Sequence, residues 1–364
     1  MFYMIRLLSL CFLMLQFCST CFADSENGSM EIAGEINRGV LFYGDGNGSA
    51  VRNVDNDNDP TLFQFTGTAK FSPELTMGGV AMIEMADNSS ANASQTDATA
   101  GPQTFNVRKA EIFFRTKNMG TLYMGRGDTA SENVSEQDIS GTFTAAHASV
   151  QKVGGSLFFS LNSGGLSTVQ VNQVFNGLDG LDRQSRLRYD LPVINGFVIS
   201  TSYADEDRYD IAVRYSKNYN TFKVKAAAAL TDTSSNGVAV DSQFSGSISV
   251  LHKNGFNLTM AGGSQNTEGS AASQDPYFIY TKVGYQAKLN KHGFTAFSID
   301  FGHYDELRTA NEDGETFGFQ ILQQVARWNV DVYLAYRNFQ LNNSALSVGD
   351  VNTFFTGVRY RFSM

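Results

Sequence analysis

Cysteine is almost missing from this chain: Cys11, Cys18 and Cys21 are its three, and all lie within the first 21 residues. Beyond them neither a disulfide nor a thiolate metal site can form. Proline occurs five times in 364 residues, so almost no extended run is interrupted by a residue that cannot donate to a sheet. The four histidines, His147, His252, His292 and His303, are scattered and make no metal-ligand spacing. Past the N-terminus no apolar run approaches the roughly 20 residues that a membrane-spanning helix needs. Net charge is −9, and −10 without Arg6, which disfavours nucleic acid as a partner.

The N-terminus is a targeting segment. Arg6 supplies a positive start, residues 7–17 an apolar centre, and Cys21-Phe22-Ala23 a cleavage pattern before Asp24. Together these describe a secretory signal peptide over 1–23, leaving 24–364 as the folded protein.

What remains is rich in phenylalanine (29), tyrosine (15) and glycine (34), and its hydrophobicity comes as alternation, the signature of a membrane β-barrel. In 62–71, Phe63, Phe65, Ala69 and Phe71 alternate with Gln64, Thr66, Thr68 and Lys70. In 184–192, Leu187, Tyr189 and Leu191 oppose Arg186, Arg188 and Asp190. In 328–337, Trp328, Val330, Val332, Leu334 and Tyr336 oppose Asn329, Asp331 and Arg337. Such strands expect lipid on the apolar face and water on the charged one. Short turn signals such as Asn195-Gly196 and Asn254-Gly255 alternate with long polar stretches (44–60, 87–104, 233–240, 266–275, 305–313 and 341–349), as a meander with one short-turn rim and one long-loop rim requires. Outward aromatics just after the short turns, Phe197, Phe222 and Phe256, with Trp328 and Phe362 at the same height, predict an interfacial girdle.

The count is sixteen antiparallel strands in an all-β transmembrane barrel, wide enough to enclose an aqueous channel. One stretch breaks the rhythm, 129–183, acidic at first and carrying a lone apolar patch at 154–161. A segment this long inside a compact fold points to function; it reads as a loop folded into the pore. A hairpin of 153–161 with 166–175 is the alternative, and would raise the count to eighteen.

Five segments carry a family resemblance: Ala33-Gly-Glu-Ile-Asn-Arg-Gly-Val-Leu-Phe42, Tyr123-Met-Gly-Arg-Gly-Asp128, Arg188-Tyr-Asp190, Ser202-Tyr-Ala-Asp205 and Gly357-Val-Arg-Tyr-Arg-Phe362. In this order and rhythm the chain resembles the trimeric general-diffusion porins of Gram-negative outer membranes, in particular the α-proteobacterial type. The resemblance implies a third external loop that constricts the barrel, a homotrimer with one pore per subunit, contact with outer-membrane lipid and lipopolysaccharide, and insertion by the barrel-assembly machinery. It also implies an aromatic C-terminus, from which this chain departs, since Ser363 and Met364 follow Phe362.

The function expected is passive diffusion of ions and small hydrophilic solutes; the rival readings are an adhesin or structural surface barrel, and a substrate-specific porin. By strand parity Lys70, Lys109, Arg115, Arg214, Lys223, Lys225, Arg337, Arg359 and Arg361 belong to the pore wall, joined by Arg183, Arg186 and Arg188. The inserted loop offers Glu132, Glu136 and Asp138, and a basic wall opposite an acidic loop gives a transverse field. Resemblance adds Arg126, on the strand leading into the loop. All these side chains are expected to face water. Asp55, Asp57 and Asp59 have the one-three-five carboxylate spacing of a Ca2+ loop, but Pro60 stands at its glycine position and Thr66 at its glutamate position. No cofactor is otherwise expected. Ser149 and Lys152 match a serine-lysine hydrolase pattern whose partner motifs are absent, and no enzyme activity is expected.

Overall fold

The computed structural model describes residues 28–97, 99, 104–232, 240–267 and 274–364. The proposed signal peptide lies outside the described residues, as do most of 98–103, 233–239 and 268–273. Sixteen wall strands close into one antiparallel barrel. In chain order the first six strands are β1 (Gly28–Gly44), β2 (Ser49–Asp55), β3 (Leu62–Lys70), β4 (Leu75–Ala86), β5 (Thr104–Thr116) and β6 (Gly120–Asp128). Next come β7 (Phe158–Ser160) and β8 (Leu166–Gln170), then β9 (Arg183–Asp190), β10 (Phe197–Ala204), β11 (Arg208–Asn218), β12 (Phe222–Asp232) and β13 (Ser242–His252). The last six are β14 (Phe256–Asn266), β15 (Tyr277–Asn290), β16 (Gly293–Asp305), β17 (Glu312–Val325), β18 (Val330–Asn343) and β19 (Val351–Ser363). The seam closes where β1 pairs with β19, from Ala33 opposite Ser363 to Gly44 opposite Asn352.

The alternative of eighteen strands is excluded. β7 and β8 form a separate two-stranded sheet and pair with no wall strand, while β6 pairs directly with β9 across the 54 residues between them. That segment, 129–182, lies inside the barrel, because its partners are side chains on the inward positions of the wall, described below.

The second wall strand is broken in two. β2 pairs with the upper half of β1 (Arg38 opposite Asp55) and β3 with the lower half (Glu35 opposite Leu62). Residues 56–61 between them leave the wall toward the lumen. The expected loop 44–60 is therefore a tight turn, a strand and an inward excursion. Its polarity reads as loop because Asn, Asp and Gly serve both the turn and the inward face.

Most outward faces follow the alternation. Leu187, Ile199, Ile211, Val213, Leu230 and Val332 are exposed on the outside of the wall, and Phe197, Phe222, Phe256 and Trp328 mark the short-turn rim. In β5 the parity flips: a bulge at Arg108, between Val107 opposite Ile83 and Lys109 opposite Met82, puts Phe105 and Val107 outside and also keeps Ile112 outside.

The inward faces are not uniformly charged, and here the sequence expectation needs correction. On β15 to β19 and β1 the lumen side carries Tyr280, Tyr304, Phe339, Phe355 and Leu41, each at most 1% exposed. They pack against Leu157, Phe159, Val171, Val174 and Phe175 of the inserted segment as one apolar core. Phe175 sits at its centre, edge-on to Tyr304 at 5.1 Å and to Phe339 at 5.0 Å. Each such side chain contributes about 1.5–3 kcal/mol of burial, which fastens the segment to one half of the barrel. Phe175→Ala is expected to cost the segment about 3–5 kcal/mol. The check is protease cleavage within 129–182 in folded, membrane-inserted protein, with the barrel itself remaining resistant.

Candidate functional site: the constriction

The inserted segment begins where β6 ends and is tied to the wall strand after strand. Asp210 on β11 accepts from the Ser131 amide at 2.7 Å and from its hydroxyl at 2.5 Å. On β13, Ser247 and Ser249 hydroxyls accept from the Gln137 and Ile139 amides at 2.9 and 3.0 Å. On β15, fully buried Lys282 donates to Asp138 at 2.7 Å and to the Ala146 carbonyl at 2.6 Å. On β16, Ser298 meets Thr142 at 2.7 Å. Gly141 takes a left-handed turn (φ 85°) where a Cβ would press on Phe294 and Ala296, so the chain hugs the wall there.

The far end of this arc meets the excursion from the broken strand. Asn56 donates to the Thr144 carbonyl at 2.7 Å and Asn58 to the Ala145 carbonyl at 3.1 Å. Lys152 pairs with Asp57 at 3.2 Å. The segment is thus held at both ends and by its apolar core, a fixed partition across the pore.

Between partition and opposite wall lies an opening of about 370 Å3. Its wall side presents Arg108, Lys109, Asp128, Arg183 and Lys225; its loop side presents Asn133, Glu136, Gln137, Asp138 and Phe143, with Asp59 at the edge. Lys109 pairs with Asp128 at 2.5 Å, and Arg183 bridges Asp128 at 3.1 Å and Glu132 at 2.5 Å. Arg108 pairs with Glu84 at 2.7 Å. Lys225 is exposed and has no acidic partner among the described residues.

The structure redistributes the expected site residues. Arg126 is misplaced in the lumen reading: it follows outward Leu122 and Met124 on β6, is exposed on the outer face, and its Nε donates to the Val107 carbonyl at 2.8 Å. Arg186 is buried against Glu111, and Arg188 is clamped to Asp190 at 2.7 Å. Arg337 is buried on Asp300 at 2.8 Å, beneath the apolar core. Arg359 binds Asp331 at 2.7 Å and also pairs with Asp59, while Arg361 meets Asp331 at 3.1 Å. Arg214 gives its hydrogen bond to the Glu132 carbonyl at 2.6 Å. Lys70, Arg115 and Lys223 stand exposed near the short-turn rim, away from the opening.

The loop acids are also less free than expected. Asp138 is buried on Lys282, Glu132 on Arg183, and Glu136 accepts from Ser149 with His147 Nδ1 at 3.5 Å. Ser149 therefore serves as a donor to Glu136 and Lys152 as a partner of Asp57, with no hydrolase geometry between them. Burial lowers the His147 imidazole below its usual range. Burial also raises Asp179, beside Glu136 and Glu132, well above the carboxylate range, and pushes Glu132 up to about 8 against the pull of Arg183. A carboxyl with a raised folded-state value stabilises the seat at low pH and loses that contribution as pH rises through the folded value. Between pH 6 and 9 the segment is expected to gain negative charge and the pore to shift toward cations. The reversal potential in a salt gradient checks this, and Glu132→Gln should remove most of the shift.

The carboxylates of Asp55, Asp57 and Asp59, expected from their spacing as a Ca2+ loop, turn to three different partners. Asp55 turns to Arg38 at 3.6 Å and accepts from the Thr61 amide, Asp57 turns to Lys152, and Asp59 to Arg359. Each carboxylate is spent on a different cation, and no group that could hold a metal occurs among the described residues. Sequence reasoning missed Arg108, Asp59 and Asp210 as shapers of the opening, while parity does place Lys282 on the pore wall. The bulge and the strand break that place the first two leave no mark in the alternation.

A family model described as Gram-negative porin matches residues 9–362. No curated protein sequence matches the chain. Among solved structures, the anion-selective porin from Comamonas acidovorans is similar at 12% identity, with 92% of this chain and 100% of that one covered and a TM-score of 0.61. A loop-deletion mutant of OmpT, an outer-membrane protein of Vibrio cholerae, is similar at 12% identity over 93% and 100%, with a TM-score of 0.60. Salmonella typhi OmpF follows at 14% identity over 94% and 99%, with a TM-score of 0.56. With the family matched from end to end, and a barrel partitioned by an inserted segment beside a charged opening, the chain belongs to the Gram-negative porins, outer-membrane channels for passive diffusion.

Proposed function

We propose that the protein works as a homotrimer of general-diffusion pores in which Lys109, Arg183, Lys225 and Glu136 face the passing solute, with no enzyme activity of its own. The observation that carries this is the polar opening beside a partition seated at both ends, a geometry that limits solutes by size and charge. Ions and small hydrophilic solutes suit it. An adhesin or purely structural barrel has no use for a rigid, charged passage. Stepwise conductance in planar bilayers tests the reading, and purified protein that inserts without conductance would sink it in favour of the surface-structural rival.

Support for the trimer comes from the outer face. Arg38 lies on the outside of β1 between Ile36 and Val40, opposite Val358 on β19, and pairs with Asp55 at 3.6 Å and Asp87 at 3.1 Å. A charged side chain against lipid near the membrane midplane costs about 2–4 kcal/mol, so this patch is better placed against other subunits. Unheated protein is expected to migrate in detergent gels as a heat-sensitive oligomer, and Arg38→Leu should keep the barrel while weakening the oligomer. A monomer band for the unaltered protein under mild detergent would count against it. Outward Arg126, near the long-loop end of β6, suits the phosphates of lipopolysaccharide. Insertion by the barrel-assembly machinery is part of the same proposal.

A further inference from the structure

Charge is sorted along the barrel axis. At the short-turn end the exposed cations include Lys70, Arg115, Lys117, Lys223, Lys253 and Lys288, and among the described residues none is in an ion pair. The unpaired carboxylates at that end are Glu31 and Glu74 among the described residues. The long-loop end is the reverse: Asp205, Glu206, Asp207, Asp275 and Asp350 are exposed there. Of its cations, Arg208 pairs with Glu206 at 3.3 Å and Arg308 with Glu312, while Arg52 and outward Arg126 give their hydrogen bonds to Tyr43 and to the Val107 carbonyl. Short turns face the periplasm and long loops the exterior in such barrels, so the outer mouth is acidic and the inner vestibule basic.

We infer from this sorting that the pore is an ionic rectifier, an inference that rests on its being an open channel. A low-dielectric wall focuses the field of each charged zone into the lumen. Cations then concentrate in the outer mouth and anions in the inner vestibule. When the exterior is positive, both populations are driven toward the opening from the mouths that hold them, and conductance rises. When the exterior is negative, each ion must enter through the zone that repels it, the opening is depleted, and conductance falls. The effect needs a screening length comparable to the lumen radius, about 20–30 Å near 0.01–0.02 M salt and only about 3 Å at 1 M.

The test is the current-voltage curve of the full chain in planar bilayers at about 0.02 M and 1 M KCl, with orientation fixed. The chain has no cysteine past residue 21. Ser344→Cys at the long-loop rim, with an impermeant thiol reagent added to one side, therefore reports sidedness. The expected result is about twofold larger current with the exterior positive at low salt, and a symmetric curve at 1 M, where screening is nearly complete. A combined Lys70→Gln, Arg115→Gln, Lys223→Gln and Lys288→Gln variant should abolish the asymmetry and keep the high-salt conductance. A symmetric low-salt curve with normal conductance, the opposite sign, or an unchanged ratio in the variant overturns the inference alone. Absence of any conductance overturns the channel reading and the inference with it.

Discussion

Lys225→Gln is expected to shift the pore toward cations, raising the cation-to-anion permeability ratio about thirtyfold, since about 1 kcal/mol is gained by the cation and about as much lost by the anion. The residue stands at the opening without an acidic partner among the described residues, so its charge acts on the passing ion uncancelled. A unit charge about 8 Å away interacts by roughly 2 kcal/mol at an effective dielectric near 20, and mobile salt halves that to about 1 kcal/mol. Lys109→Gln should do less, because Lys109 already shares Asp128 with Arg183. Reversal potentials in a tenfold salt gradient measure both. Equal shifts from the two would mean that the ion pairs at the wall do not set the field.

Lys282→Met is expected to release the partition. Lys282 and Asp138 are both almost wholly buried, 2.7 Å apart, and removing one member of such a pair costs about 3–5 kcal/mol because the other charge is left without a partner. The loss of the Ala146 contact adds to it. Single-channel records should show larger and noisier conductance, and protease should cut within 129–182 while the barrel stays intact. A Lys282→Met, Asp138→Leu double variant should recover much of the quiet behaviour, since it buries no lone charge. If the single variant conducts like the unaltered protein, the partition is held by its apolar core alone.

Why the barrel was legible in sequence and the opening only partly so follows from what alternation records. Leu187, Tyr189 and Leu191 against Arg186, Arg188 and Asp190 state which face is which, strand by strand, and the Asn195-Gly196 turn with φ of 52° and 94° places the hairpin. Period two says nothing of what covers an inward face. Tyr280, Tyr304 and Phe339 stand at inward positions of strands already apolar on the outside, and their partner, Phe175, is more than 100 residues away. Parity also counts through irregularities blindly. Arg108 enters the lumen at a bulge, and Asp59 through a strand break that composition disguised as an external loop. Arg126 was assigned by resemblance against its own parity with Leu122 and Met124, and parity was the better guide. The acids Glu132 and Asp138 were found, but their partners Arg183 and Lys282 are set by tertiary contact, which decides whether a carboxylate faces solute or holds a seat.

The broken second strand bears on the order in which the molecule can become functional. Asp59 is brought in by the chain's beginning and Arg359 by its end, 300 residues apart, and the two pair at the edge of the opening. Nearby, Tyr333 donates to Asn37 at 2.7 Å across 296 residues. Contacts of such sequence separation form late, since the chain between them must already be ordered. Asn56 and Asn58, which fix the Thr144 and Ala145 carbonyls, ride on the same excursion. The aperture therefore acquires its final outline only when the first and last strands meet. A barrel stalled before seam closure has most of its wall and no calibrated hole, so a strand-exchange defect at Gly39 or Gly357 would be read out as altered permeability before it is read out as lost fold.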